Sequence, residues 1–279
     1  MNLFNTFIFS LILLDIKYYV FANDFTPAPR AGHIAILVDQ KIIFVGGKLN
    51  DDTNSREIFF LDLQNELNLS SNDSNYFEFG AFNETIPSEI GGISLAASAV
   101  GIKNNLSMIE IFGGLTIVDQ RSIQNGTNGT YPKSINSFFS INVQNATNNI
   151  SINVFNDTIP NRPSSRYRVN SVMDKDSRFY VFGGSDTVND TNMYIYDYWK
   201  DTWAVIQSVN APSSISGYSA TLLPNGQIFY IGGVTVENSS AYRDMNEASL
   251  KGNLQFAIIN ESIINRDPSY FLDHSLRYK

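Results

Sequence analysis

The sequence predicts an all-β protein assembled from a recurring four-stranded unit. Three observations carry this. An apolar or aromatic run ending in Gly-Gly appears at residues 41–47, 108–114, 178–184 and 227–233. A second strand-like run precedes each copy across a short turn. No stretch beyond the first residues keeps a helical apolar period over ten or more positions. Phe (20) and Tyr (14) are abundant in the 279 residues, and both favour strands.

The elements follow in order. The runs ahead of the glycine-ending strands are 33–38, 95–102, 167–173 and 218–223. The turns between them are 39–40, 103–107, 174–177 and 224–226, the last a Pro-Asn-Gly hairpin signal. Polar loops then occupy 48–54, 115–125, 185–192 and 234–240. Third runs lie at 57–63, 137–143 and 193–198, and fourth runs at 76–82, 150–155 and 203–206. Hairpin, glycine pair, loop, strand, turn, strand describes one blade of a β-propeller. The expected blades cover 25–83, 92–157, 163–208 and 214–262. After residue 233 the pattern decays, and 245–254 does not read as a third strand. The C-terminal part is therefore degenerate and the expected ring incomplete, with an open edge that permits self-association.

The repeat singles out eight positions: Gly46 and Gly47, Gly113 and Gly114, Gly183 and Gly184, Gly232 and Gly233. The strand before each pair is continuously apolar, as expected when both faces are covered by neighbouring sheets. At its end the chain turns sharply against the next unit, where glycine permits positive φ and close backbone approach. A phosphate-binding loop would need a helix after the glycines. Loops leading to strands follow instead, so nucleotide binding is not expected.

The third unit carries Arg166, the run ending in Gly183-Gly184, Tyr196-Asp197 and Asp201-Thr202-Trp203, with Tyr seven residues ahead of Trp. The first unit places Pro29-Arg30-Ala31-Gly32-His33 before its first strand. On these residues the chain resembles the kelch-repeat β-propellers, the broad group that includes the galactose oxidase propeller. The resemblance spans residues 25–233; units one and two lack the Trp, and Phe79 and Phe155 stand in their fourth runs. It implies a kelch-type propeller of four recognisable four-stranded blades, with specificity for a protein or glycan ligand in the loops on its faces. The oxidase relatives hold copper through Tyr and His beside a Tyr–Cys crosslink. This chain has no Cys and only His33 and His274, so the resemblance implies the fold without the oxidase site and without a cofactor.

Composition sets further bounds. Hydrophobic residues make up 43% and charged residues 16%, enough apolar content for a real core. A net charge of −8 repels phosphate backbones, so nucleic acid is not an expected partner. Without cysteine, disulfides, thiolate metal sites and cysteine nucleophiles are excluded. Residues 1–22 read as a secretion signal: the apolar run 7–14 is too short to span a bilayer, and Val20 and Ala22 suit a cut after Ala22. No second long apolar segment follows, so no membrane span beyond the signal is expected. Asn-x-Ser/Thr sequons stand at Asn68, Asn72, Asn83, Asn105, Asn125, Asn128, Asn145, Asn149, Asn156, Asn189, Asn238 and Asn260. Chance would give about five in so Asn-rich a chain. The expected protein is a secreted glycoprotein.

No catalytic constellation emerges. Gly-x-Ser-x-Gly is absent. Asp51-Asp52 reads as a solvated turn, and Asp186, Asp190 and Asp197 lack calcium-loop spacing. Tyr194, Tyr196, Tyr198, Trp199 and Trp203 form the densest aromatic group, read as packing between blades rather than a sugar-stacking platform. No catalytic, cofactor or metal residue is assigned. The expected function is a non-catalytic binding module. Two alternatives stay open: a secreted carbohydrate-active enzyme related to galactose oxidase, and a truncated, non-functional propeller fragment.

Overall fold

Strands rich in Ile, Phe, Val and Tyr cannot stand alone in water, and here they pair into open antiparallel sheets. The computed structural model describes residues 25–63, 79–103, 106–121, 128–144, 149–156, 158–184, 190–207, 215–235 and 256–260. Among the described residues there is no helix. The expected signal at 1–22 and the sequons at Asn68, Asn72, Asn105, Asn125, Asn145, Asn189 and Asn238 lie outside the described residues, as do Asp186 and His274.

The first sheet orders β2 (Ile34–Val38), β3 (Lys41–Val45), β5 (Ile58–Asp62) and β6 (Phe79–Ala81). The second orders β7 (Ala97–Lys103), β8 (Leu106–Phe112), β11 (Phe138–Gln144) and β12 (Asn149–Val154). The third runs β13 (Ser171–Met173), β14 (Arg178–Phe182), β15 (Asn192–Asp197) and β16 (Thr202–Gln207). The fourth has β17 (Ile215–Leu222), β18 (Gln227–Thr235) and β19 (Phe256–Asn260). Two small pairs lie outside these sheets: β1 (Arg30–Ala31) with β4 (Lys48–Leu49), and the hairpin β9 (Leu115–Arg121) with β10 (Asn128–Ser134). That hairpin occupies a stretch expected to be a loop.

Successive sheets cover one another. β2 lies against β7, β7 against β13 and β13 against β17. Three apolar layers fill the spaces between them, and strand alternation assigns their members. Ile43, Val45 and Phe60 of the first sheet meet Ile109, Ile111 and Phe139 of the second. On the other face of the second sheet, Ala97, Phe112 and Phe138 meet Phe179, Val181 and Tyr196. Tyr180, Phe182 and Ile195 then meet Ile215, Ile228 and Tyr230. Burial of each such side chain stabilises by about 1.5–3 kcal/mol. The aromatic group centres on Phe138, whose ring lies 4.6 Å from Tyr196 and 5.2 Å from Trp203.

Three of the four lead-in segments are shorter as strands than the apolar pattern suggests, while β17 begins earlier than expected. Residues 167–170 were expected in a strand but lie outside β13. The reason is a backbone link between units. The Leu95 N–H donates to the Gly32 carbonyl (2.7 Å), the Arg168 N–H to the Leu95 carbonyl (2.9 Å) and the Gly217 N–H to the Arg168 carbonyl (2.8 Å). All four residues have left-handed φ: 63° at Gly32, 56° at Leu95, 53° at Arg168 and 69° at Gly217. A residue so turned cannot continue a ladder. In the fourth sheet the paired positions pass over Gly217 and the facing Gly233 alike, so the ladder is interrupted there without a change of register.

Candidate functional site

The glycine pairs build one end of the molecule, because β3, β8, β14 and β18 all run toward it. The first glycines have φ of 65° at Gly46, 71° at Gly113, 64° at Gly183 and 75° at Gly232. The second glycines reach into the next unit. The Gly47 N–H donates to the Ile93 carbonyl (2.7 Å), Gly114 to that of Arg166 (2.8 Å) and Gly184 to that of Ile215 (2.7 Å). The same three oxygens crowd the first glycines: a Cβ on Gly46, Gly113 or Gly183 would lie 2.4 Å from the Ile93, Arg166 or Ile215 oxygen respectively. Each pair is thus a socket for the next unit's backbone. At Gly232 nothing lies within 4 Å of that point.

Two arginines brace these sockets. Arg30 donates to the carbonyls of Ala28 (3.1 Å) and Gly46 (3.0 Å), pairs with Glu57, and lies 4.7 Å over the Phe59 ring. Arg166 repeats the arrangement with Ser164 (3.1 Å), Gly183 (2.9 Å), Asp190 (2.9 Å) and the Tyr194 ring (4.7 Å). The Tyr194 hydroxyl donates to the same Asp190 carboxylate. Ile93 and Ile215 hold the corresponding places in the second and fourth units, since their carbonyls meet the glycine pairs as the Arg166 carbonyl does.

The loops at this end rest on that scaffold. Asp51 accepts from the Thr53 N–H (3.0 Å) and hydroxyl (2.6 Å), bonds that hold its carboxyl below the usual carboxylate range. Lys48 pairs with Asp52. The Asn54 amide donates to the Leu115 carbonyl (2.7 Å), tying the first loop to the base of the β9–β10 hairpin. Asp51 and Asp52 therefore serve as turn residues.

At the opposite end, Asp174 accepts from the Asp176 and Arg178 N–H groups, the Arg178 Nε and the Tyr180 hydroxyl, all within 2.8 Å. Burial, then Asp201 at 2.5 Å from the hydroxyl, drives the Tyr196 phenol far above its ordinary range. Burial does the same to Tyr218 and Tyr230. These groups stay neutral; Tyr196 donates to Asp201, and Tyr218 to the Asn170 and Phe182 carbonyls. Of the aromatic group, Tyr196 and Trp203 are buried between the second and third sheets, while Trp199 is 58% exposed.

Among the described residues no cluster of three or more His, Asp or Glu could hold a metal ion. Asp190 and Asp197 flank opposite ends of β15, and each engages a cation, Arg166 and Lys200. Asn83, Asn149 and Asn156 are exposed. Asn128 falls in β10 and Asn260 in β19. No family model matches this chain, and no curated protein matches it. The sequence reasoning missed the paired arginine braces, although it singled out both residues; their shared carbonyl target has no sequence signal.

His33 sits just ahead of β2, 5.6 Å from the Phe44 ring, with its Nδ1 buried and without a hydrogen-bond partner. Burial, aided by the Arg30 charge, lowers its pKa. The folded form thus binds the proton less readily than the unfolded chain. Stability from this group is complete above the unfolded value of about 6.5 and is lost as pH falls below it. The melting temperature of the native chain should drop between pH 7 and pH 5 more than that of His33→Gln, as read by circular dichroism; parallel curves would show that His33 has no part in it.

Proposed function

We propose that the chain is a secreted, N-glycosylated propeller of the kelch type, whose loops bind a protein or a glycan and carry out no catalysis. The observation behind this reading is the hydrogen-bonded series through Gly32, Leu95, Arg168 and Gly217. Equivalent residues step from sheet to sheet while each sheet hides a face of the next. Radial stacking about an axis produces such a series; a two-layer sandwich does not. In this reading the four sheets are the blades.

The binding role rests on how the polar groups are used. Arg30, Arg166, Asp174 and Asp190 hold turns, so these four charges serve architecture. The loops after the glycine pairs differ in length on a repeated base, which is where specificity is placed in repeat proteins. Copper is disfavoured at His33 by the Arg30 charge beside it.

The test is expression of the full chain in a secreting eukaryotic host. Peptide mapping should find a mature terminus at Asn23 and glycan on Asn83, Asn149 and Asn156. A glycan array and affinity capture should give one dominant ligand, lost when the exposed loop residues 50–53 are exchanged for a Gly-Ser linker. Cooperative melting of the secreted chain speaks against a non-functional fragment. Stoichiometric copper with turnover of galactose would replace the binding reading with the oxidase one.

A further inference from the structure

The sequons that fall among the described residues share one placement. Asn83 stands just past β6, the outermost strand of the first sheet. Asn149 opens β12, the outermost strand of the second, and Asn156 stands just past its end. Asn260 closes β19, the last strand in the order of the fourth sheet, and Asn128 opens β10 of the separate hairpin. None of these lies on an inner strand such as β3, β8, β11 or β14. A marginal strand is where a sheet presents unpaired N–H and C=O groups to another chain.

The placement is most telling at β12. Its residues, Asn-Ile-Ser-Ile-Asn-Val, extend over about 20 Å. On one side it pairs with β11, Asn149 opposite Gln144 and Val154 opposite Phe139, and no strand of the second sheet lies beyond it. Asn149, Ser151 and Asn153 are exposed, and Val154, on the other face with Ile150 and Ile152, is 41% exposed. The strand contains no charged residue and no proline, the usual guards of an edge. It is bracketed instead by the exposed asparagines of two sequons.

We infer that N-glycans on Asn149 and Asn156 guard the β12 edge, keeping it from pairing with a strand of a second chain. A sugar at each end is bulky and hydrated, and it stands across the path along which another strand would align. The inference rests on the N-glycosylated reading above and adds what the sugars do; it is independent of what the loops bind. β16, the outermost strand of the third sheet, holds no asparagine, so the sugars do not mark every margin. With β12 covered, a β16 edge meets no bare second-sheet margin on a neighbouring copy.

The test compares secreted chains by light scattering at about 10–100 µM, after peptide mapping has reported the sugar at each site. Asn149→Gln combined with Thr158→Ala removes both sequons while keeping the Asn156 Oδ1 as acceptor of the N–H at position 158. That variant should keep the native circular dichroism spectrum yet show at least about twice the weight-average mass of the native chain. Adding Val154→Lys, a charge on the bare edge, should return it to the native mass. Trimming the folded native chain with an endoglycosidase makes the same comparison without asking the cell to fold a variant; the mass should rise, and rise less in Val154→Lys. Unmodified Asn149 and Asn156 in the native chain would sink the glycosylation reading and this inference together. With sugar present, a double variant and a trimmed chain that both match the native mass overturn the inference alone. So does association that Val154→Lys leaves unchanged, since the contact is then not made through β12.

Discussion

Gly183→Ala is expected to lower the stability of the chain by about 4 kcal/mol, whereas Gly232→Ala costs about 1 kcal/mol. Both residues lie in the left-handed region, at φ of 64° and 75°. An L side chain there costs about 1–2 kcal/mol in either position. The difference lies in what the new methyl meets. At Gly183 it falls 2.4 Å from the Ile215 oxygen, the acceptor of the Gly184 N–H. Relief requires the third and fourth sheets to separate, which opens the layer holding Phe182, Tyr218 and Tyr230. At Gly232 no atom lies within 4 Å, so backbone strain is the whole cost. Urea unfolding of the two variants at low micromolar concentration measures the difference. Equal losses would mean that the glycine pairs answer only to φ and that the sockets do not hold the sheets together.

The same contrast explains what could be read from the sequence. The strands before the glycine pairs were legible because two independent signals coincide there. Burial on both faces demands an unbroken apolar run, and the socket demands a residue without a side chain. The third and fourth strands carry only the first signal, and their predicted bounds sit a residue or more from the observed ones; the run expected at 57–63 is β5 at Ile58–Asp62. The β9–β10 hairpin was not legible. Its second strand, NGTYPKS, contains Pro132 and a sequon, and it pairs outside the four sheets, where no apolar alternation is needed. The inter-unit backbone series was hidden for another reason. Leu95 and Arg168 adopt left-handed φ although neither side chain favours it, because the bonds on either side hold the backbone there. Gly32 and Gly217 fill the equivalent places with the expected residue. The spacing between the four positions varies with loop length, so no period in the sequence exposes them. The aromatic group, read as packing, divides: Tyr196 and Trp203 are interior while Trp199 faces water.

Arg166→Met should lower stability by about 3–5 kcal/mol, and Arg30→Met by about 1–2 kcal/mol, although the two arginines make corresponding contacts. Arg166 is 2% exposed and its partner carboxylate on Asp190 only 10%. Removing the cation leaves a buried carboxylate, the penalty that dominates when one half of a buried pair is lost. It also strips the Gly183 carbonyl of its donor, at the socket where Gly184 grips the Ile215 carbonyl. Methionine keeps much of the volume against the Tyr194 ring, so the loss is electrostatic rather than a cavity. Arg30 is equally covered, at 4%, but Glu57 is 49% exposed and regains water when the cation goes. Among the described residues no sheet precedes Arg30, whereas the Arg166 carbonyl holds the Gly114 N–H of the sheet before it. Adding Asp190→Asn to Arg166→Met should restore part of the loss, since the stranded charge is then gone. The four proteins in a double-mutant cycle, followed by thermal unfolding, separate charge burial from socket bracing. Full restoration would assign the whole effect to the carboxylate. No restoration would place it in the arginine's bond to the Gly183 carbonyl, and with it the coupling of the third sheet to the fourth.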